Sequence, residues 1–315
     1  VRDFSKLGYT KSLYILPFDH RATFAKNLFG KESILDLSGD EREAIRELKM
    51  LIYRGFKDAV EKLIPVDAAA ILCDEEFGSE ILIDALHNGF ITLLPVEKSG
   101  KKEFEFQYED FADHIERFHP KFVKALVRYN PQDPQDSKKR QKNNLKKLSD
   151  YCEKNNHKFL LEVLVIPTQA QLKEIGTKQM FDSKLRQELI IEAIKDFQNS
   201  GIEPDIWKLE GFDKEESYKE IIEEIKAGGR DNVNLIILGR GEKKEEVEEW
   251  LEAGVKEMLT IGSRTEGVIG FAVGRTVFWN AVEKFHRGQI GKAEAIQTIS
   301  ENFQHFYKVF TTYSS

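Results

Sequence analysis

The chain has 315 residues, 41% hydrophobic and 32% charged, and its 47 basic against 54 acidic side chains give a net charge of −7. That length buries a full core in one large domain or two smaller ones, and the acidic balance argues against a nucleic-acid partner, which needs a basic face. No apolar run approaches the roughly 20 residues of a membrane helix and no leader pattern opens the chain, so a cytoplasmic protein away from the membrane is expected.

Apolar, β-branched runs alternate with amphipathic stretches along the chain, the pattern of βα units around a parallel sheet. A strand at 13–18 precedes a helix at 40–63. A strand at 68–73 precedes a helix at 79–87, one at 90–96 a helix at 108–118, and one at 122–127 a helix at 137–155. Strands at 159–165, 205–210 and 233–238 lead into helices at 182–199, 214–227 and 242–253. The eighth strand, 268–273, is followed by helices at 276–286 and 292–310. Asp182 reads as a helix start and Gly228-Gly229 as a helix stop. Eight such units fit a single (β/α)8 TIM barrel over 1–315 with extra C-terminal helices.

The basic stretch 138–142 and the acidic stretch 242–249 read as solvated helix faces. The loop 130–136, directly after the fourth strand, is expected over the barrel mouth, where this fold builds its sites. Cys73 and Cys152 are too few for a disulfide framework, and the seven histidines lack ligand-like spacing, so neither a metal nor a cofactor is expected. The chain opens on Val1, which is compatible with a piece of a longer polypeptide.

Charges interrupt four of the strands. Lys208 breaks Asp205-Ile206-Trp207-Lys208-Leu209, Lys124 breaks Phe122-Val123-Lys124-Ala125, Glu162 breaks Leu160-Leu161-Glu162-Val163, and Asp19 ends the run from Leu13 to Phe18. A barrel strand is covered on both faces, so an unpaired charge there costs several kcal/mol. One reading is a structural ion network. The other is chemistry, since each charge lies near the C-terminal end of its strand. Two lysines beside carboxylates suit amine nucleophilic catalysis: only the neutral amine attacks a carbonyl, and bringing a lysine from ~10.4 to about 8 takes roughly 3 kcal/mol, which burial and a second cation supply. Lys124 is the natural second cation, with Glu162 and Asp19 as proton carriers.

Gly239-Arg240-Gly241 follows the seventh strand, and Gly274-Arg275-Thr276 follows the eighth. Glycine permits close approach to an oxyanion, helix N-terminal amides donate to it, and arginine binds two of its oxygens. The loops after strands seven and eight form the recurrent phosphate site of this fold.

These residues resemble the class I, Schiff-base-forming aldolases of the tagatose-bisphosphate aldolase group, above all the aldolase-like domain fused to 5-dehydro-2-deoxygluconokinases of inositol catabolism. The resemblance is carried by Leu16-Pro17-Phe18-Asp19-His20-Arg21, Val123-Lys124-Ala125-Leu126, Leu161-Glu162-Val163, Asp205-Ile206-Trp207-Lys208-Leu209-Glu210-Gly211 and Gly270-Phe271-Ala272-Val273-Gly274-Arg275-Thr276. It implies a metal-independent carbon–carbon lyase with Lys208 as the imine-forming lysine, Lys124 and Glu162 as companion lysine and acid/base, Asp19 as the first-strand aspartate and Arg275 on the phosphate. Arg21 joins the expected substrate contacts, and Glu75, in Cys73-Asp74-Glu75-Glu76, is expected to orient a substrate hydroxyl or a lysine. The chain departs from the group at Arg240, where the tagatose-bisphosphate enzymes carry serine, which points either to a differently placed phosphate or to another anionic group on the substrate. The implied substrate is a phosphorylated keto sugar or keto acid such as 2-deoxy-5-keto-gluconate 6-phosphate. The alternatives are a non-catalytic sugar-phosphate sensor and, disfavoured by the missing histidine cluster, a metal-dependent aldolase or isomerase. Self-association stays open.

Overall fold

The computed structural model describes residues 4–239 and 248–313, the side chains of 248–251 excepted. Eight parallel strands close into a barrel in chain order: β1 Leu13–Pro17, β2 Ala69–Leu72, β3 Ile91–Pro95, β4 Phe122–Arg128, β5 Lys158–Leu164, β6 Ile206–Glu210, β7 Asn234–Leu238 and β8 Val268–Ala272. Around them lie α1 Ala22–Phe29, α2 Gly39–Lys62, α3 Glu75–His87, α4 Phe111–Phe118, α5 Gln135–Asn155, α6 Gln169–Ile175, α7 Lys178–Lys184, α8 Arg186–Asn199, α9 Glu215–Lys226, α10 Glu248–Gly262, α11 Arg275–His286 and α12 Lys292–Tyr313. Each predicted strand is present, and α12 is the surplus C-terminal helix.

Local chemistry sets the ends. Ser38 and Glu41 form a reciprocal capping box that starts α2. Asp74 accepts from Phe77 N at 3.0 Å and starts α3 four residues ahead of the expected 79. The helix expected from Asp182 is two helices instead: Thr177 caps α7, Asp182 lies inside it, and the chain breaks at Leu185 before α8 begins. Short α1 and α6 lie in stretches expected as loop; with eight and seven residues they hold too few turns to show an apolar period.

Strand alternation sorts side chains between two cores. Residues such as Trp207 and Leu209 pack outward under the helices, while Leu13, Ile15, Leu72, Leu93, Phe122, Leu160, Ile206 and Ile236 form a separate apolar cluster inside the barrel. At the seam, a Cβ on Gly270 would lie 1.8 Å from Leu13 O, so only glycine lets β8 close on β1. Tyr14 of β1 meets Phe271 at 5.5 Å and Tyr307 of α12 at 5.0 Å, which places α12 over that seam.

The N-terminal segment seals the bottom. Gly8 N donates to Asp205 Oδ1 at 2.8 Å, Lys158 Nζ donates to the carbonyls of Lys6 and Gly8 and to Asp205, and Tyr9 stands edge-on to Phe122 at 5.1 Å. Among the described residues no helix is long and apolar enough to cross a membrane.

Candidate active site

The same alternation that buries Phe122, Leu160 and Ile206 carries Lys124, Glu162 and Lys208 into the barrel two residues later, one layer nearer the C-terminal mouth. Glu162 and Lys208 are register partners on β5 and β6, and Leu126 pairs with Glu162 on the β4 side. The three charges are 2%, 5% and 2% exposed for Lys124, Glu162 and Lys208, so they exist only as a compensated set. Lys208 Nζ donates to Glu162 Oε2 at 2.9 Å. That same oxygen lies 3.3 Å from Lys124 Nζ, and Lys124 also donates to Asp19 Oδ2 at 3.0 Å. Glu162 thus bridges the two lysines.

A third carboxyl completes the cluster. Glu97 follows β3, accepts from Lys124 through Oε1, and keeps Oε2 buried with no hydrogen-bond partner among the described residues. Its backbone is held by an antiparallel bridge to Phe106, by Lys98 N on Glu105 O at 2.9 Å, and by Arg21, whose Nη2 donates to Glu97 O at 2.7 Å. No strand motif announces Glu97, because a glutamate in a loop is ordinary; the signal was its position directly after the third strand.

The charges do not titrate alike. Burial raises the Asp19 carboxyl, but Lys124, then His20 and Lys208, outweigh it and hold Asp19 well below the usual carboxylate range. Burial also raises Glu162, and Lys208 and Lys124 overcome it to hold it low. For Glu97 burial wins over Lys124, with Asp19 adding to it, and the carboxyl is raised. Burial lowers Lys124, yet Asp19, Glu97 and Glu162 together push it above the ordinary lysine range. Burial drives His20 down to about 4 despite Asp19, helped by Arg275, Lys49 and Lys208, so this imidazole is neutral near pH 7.

These groups line a cavity of about 400 Å³ at the C-terminal ends of the strands, which also takes in Arg21, Lys98, Arg128, Glu210, Gly239, Gly274 and Arg275. Gly274 caps α11, and a Cβ there would lie 2.5 Å from Pro17 O, so glycine lets the start of α11 and Arg275 approach β1. Arg240 and Gly241 lie outside the described residues. Glu75 is not among the cavity's residues: it pairs with His114 at 2.7 Å on α4. The neighbouring Asp74 instead pairs with the fully buried Lys49, which donates to Phe18 O at 2.8 Å and pins the end of β1 beside Asp19. The loop 130–136 follows β4 as expected and bonds to α6, with Asn130 Nδ2 donating to Gln171 Oε1 at 2.8 Å, and its residues are not among those lining the cavity. Among the described residues no three His, Cys, Asp or Glu side chains are grouped to hold a metal ion.

Solved structures share this architecture. An archaeal fructose-1,6-bisphosphate aldolase aligns at 12% identity with a TM-score of 0.53, covering 93% of this chain and 94% of that one. Another archaeal structure, with its catalytic lysine covalently bound to the carbinolamine intermediate of the substrate, aligns at 14% identity and a TM-score of 0.51 over 91% and 94% of the two chains. A protein from Corynebacterium glutamicum aligns at 16% identity and a TM-score of 0.55 over 96% and 90%. At these identities the likeness is one of fold. No curated protein sequence matches the chain. A family model does match, over residues 5–313, and the chain accordingly belongs to the family described as uncharacterized protein conserved in bacteria, DUF2090.

Proposed function

We propose that the protein is a class I aldolase that cleaves a phosphorylated keto sugar or keto acid through an imine on Lys208. The observation that carries this reading is the shared oxygen of Glu162, 2.9 Å from Lys208 Nζ and 3.3 Å from Lys124 Nζ, at the wall of a cavity that Arg275 also lines. A lysine nucleophile needs a base to take its proton and an acid to expel water, and one carboxyl in contact with the nitrogen serves both.

In the forward direction Lys208 gives a proton to Glu162 and adds to the ketone, forming the C–N bond as the carbonyl π pair moves to oxygen, which takes the second amine proton and becomes a hydroxyl. Glu162 returns its proton to that hydroxyl, water leaves, and the iminium forms. Asp19, held ionised and 3.0 Å from Lys124, then takes the proton of the substrate hydroxyl. The O–H pair becomes the carbonyl of the departing aldehyde, and the C–C pair flows into the iminium to give an enamine. The start of α11 and Arg275 suit the phosphate. The fold shared with Schiff-base fructose-bisphosphate aldolases supports the same reading, and the sequence likeness to the kinase-fused domains favours 2-deoxy-5-keto-gluconate 6-phosphate as substrate.

Borohydride reduction in the presence of dihydroxyacetone phosphate or keto-sugar phosphates is the test. A stable adduct on the peptide carrying Lys208 is expected, and no adduct with any of these ketones would sink the imine mechanism.

A further inference from the structure

Three carboxyl groups meet one ammonium at the barrel mouth, and they divide its charge unevenly. Glu162 has a second lysine, Lys208, and Asp19 lies in the fields of His20 and Lys208 as well as against Lys124. Glu97 accepts from Lys124 through one oxygen and leaves the other buried without a partner among the described residues. A buried carboxyl oxygen without a partner costs far more as part of an anion than as a neutral hydroxyl. Burial accordingly tilts Glu97 toward its protonated form, while Asp19 and Glu162 are tilted the opposite way.

The chemistry has one unfilled post. Glu162 touches Lys208 and serves the nitrogen, and Asp19, which receives the hydroxyl proton at cleavage, is held toward its anion against Lys124 at 3.0 Å and returns that proton along this contact. Cleavage leaves an enamine whose carbon must be protonated before hydrolysis. We propose that Glu97 is a further catalytic residue, the acid that protonates this carbon, and that Lys124 recharges it from Asp19.

The step balances. Glu97 gives its proton to the enamine carbon, the enamine pair becomes the new C–H bond, and the iminium is restored. Lys124 then passes an ammonium proton to the Glu97 carboxylate and takes up the proton that Asp19 removed from the substrate hydroxyl. No proton is gained or lost over the cycle. The backbone bonds from Arg21 and the bridge to Phe106 fix Glu97 against Lys124 at the wall of the cavity that Lys208 also lines.

The inference rests on the aldolase reading, and one experiment separates the two. Wild type and Glu97→Gln are incubated with dihydroxyacetone phosphate in deuterated water, and borohydride adduct and carbon-bound deuterium are measured on the same samples. Glu97→Gln is expected to keep the adduct at wild-type yield while deuterium exchange slows by about 100-fold or more, with Glu97→Asp recovering a measurable part of it. In the wild type, exchange begins with ionised Glu97 taking the proton from the iminium carbon, so it rises with a single ionisation on the alkaline side of the usual carboxylate range, and that limb is missing from the residual exchange of the glutamine variant. Exchange within tenfold of wild type, or adduct and exchange lost in parallel, overturns the role of Glu97 and leaves the imine standing. A wild type that forms no adduct overturns both. Should Glu97→Gln fail to fold, the wild-type profile decides, and exchange that does not rise with pH through that ionisation overturns the proposal.

Discussion

The lower and upper halves of the barrel interior are built on the same strands and obey opposite rules. Phe122, Leu160 and Ile206 stand two residues below Lys124, Glu162 and Lys208, facing the same axis. The lower layer is stable because nothing in it needs water or a partner. The upper layer holds together because each charge neutralises another, and such a layer is worth little to stability unless all its members are present. Moving two positions along a strand therefore exchanges a term in folding for a term in chemistry.

Substitutions in the two layers are expected to separate these terms. Lys208→Met removes the proposed nucleophile and is expected to reduce aldol cleavage by about 10⁴-fold or more, equivalent to at least about 5 kcal/mol of barrier, with no borohydride adduct. Its stability loss is smaller than that of the floor variant, since Glu162 keeps Lys124 at 3.3 Å. Phe122→Ala acts on the other layer. It is expected to cost about 3–5 kcal/mol in urea unfolding while folded enzyme keeps turnover within a few-fold; a proportionate fall in kcat would mean that the layers are coupled.

Arg275→Met tests the rim. Loss of a charge-assisted contact to phosphate, about 1.5–3 kcal/mol, should raise KM for phosphorylated ketones by about 10- to 100-fold with a much smaller change in kcat. Activity on the unphosphorylated sugar should not respond. The smallest effect concerns His20. Its pKa lies at about 4 in the folded protein against an ordinary 6.5, so the unfolded chain binds more protons in that window. Stability is therefore complete above about pH 6.5 and declines as pH falls toward 4. Urea midpoints at pH 7 and 5 should differ less in His20→Gln than in wild type, and an unchanged difference would remove His20 as the cause.

What could be read from the sequence was whatever contrasts with its surroundings. A lysine within Ile206-Trp207-Lys208-Leu209 is conspicuous because its neighbours are apolar, and strand alternation then places it in the barrel. Lys49 is just as buried, but on α2 it sits among Arg42, Arg46 and Lys57 and looks like any surface lysine until Asp74 and Phe18 O are seen beside it. Glu97 was hidden for the same reason, in a loop with Lys98, Lys101 and Lys102. The β-ladder as a whole was legible because eight apolar runs recur with helices between them. The bends at Leu185 and the short α1 and α6 were not, since caps at Thr168 and Thr177 and a single turn of packing decide them.

The sealed bottom of the barrel has a consequence for traffic. With Tyr9 against Phe122 and the Gly8–Asp205–Lys158 bonds closing the lower end, the cavity is a cul-de-sac. A reaction that makes two molecules from one must then send both out by the doorway through which the substrate entered. If one fragment is tethered to Lys208, the untethered one leaves first, and the order of departure is set by architecture and covalent attachment together, with no gate required.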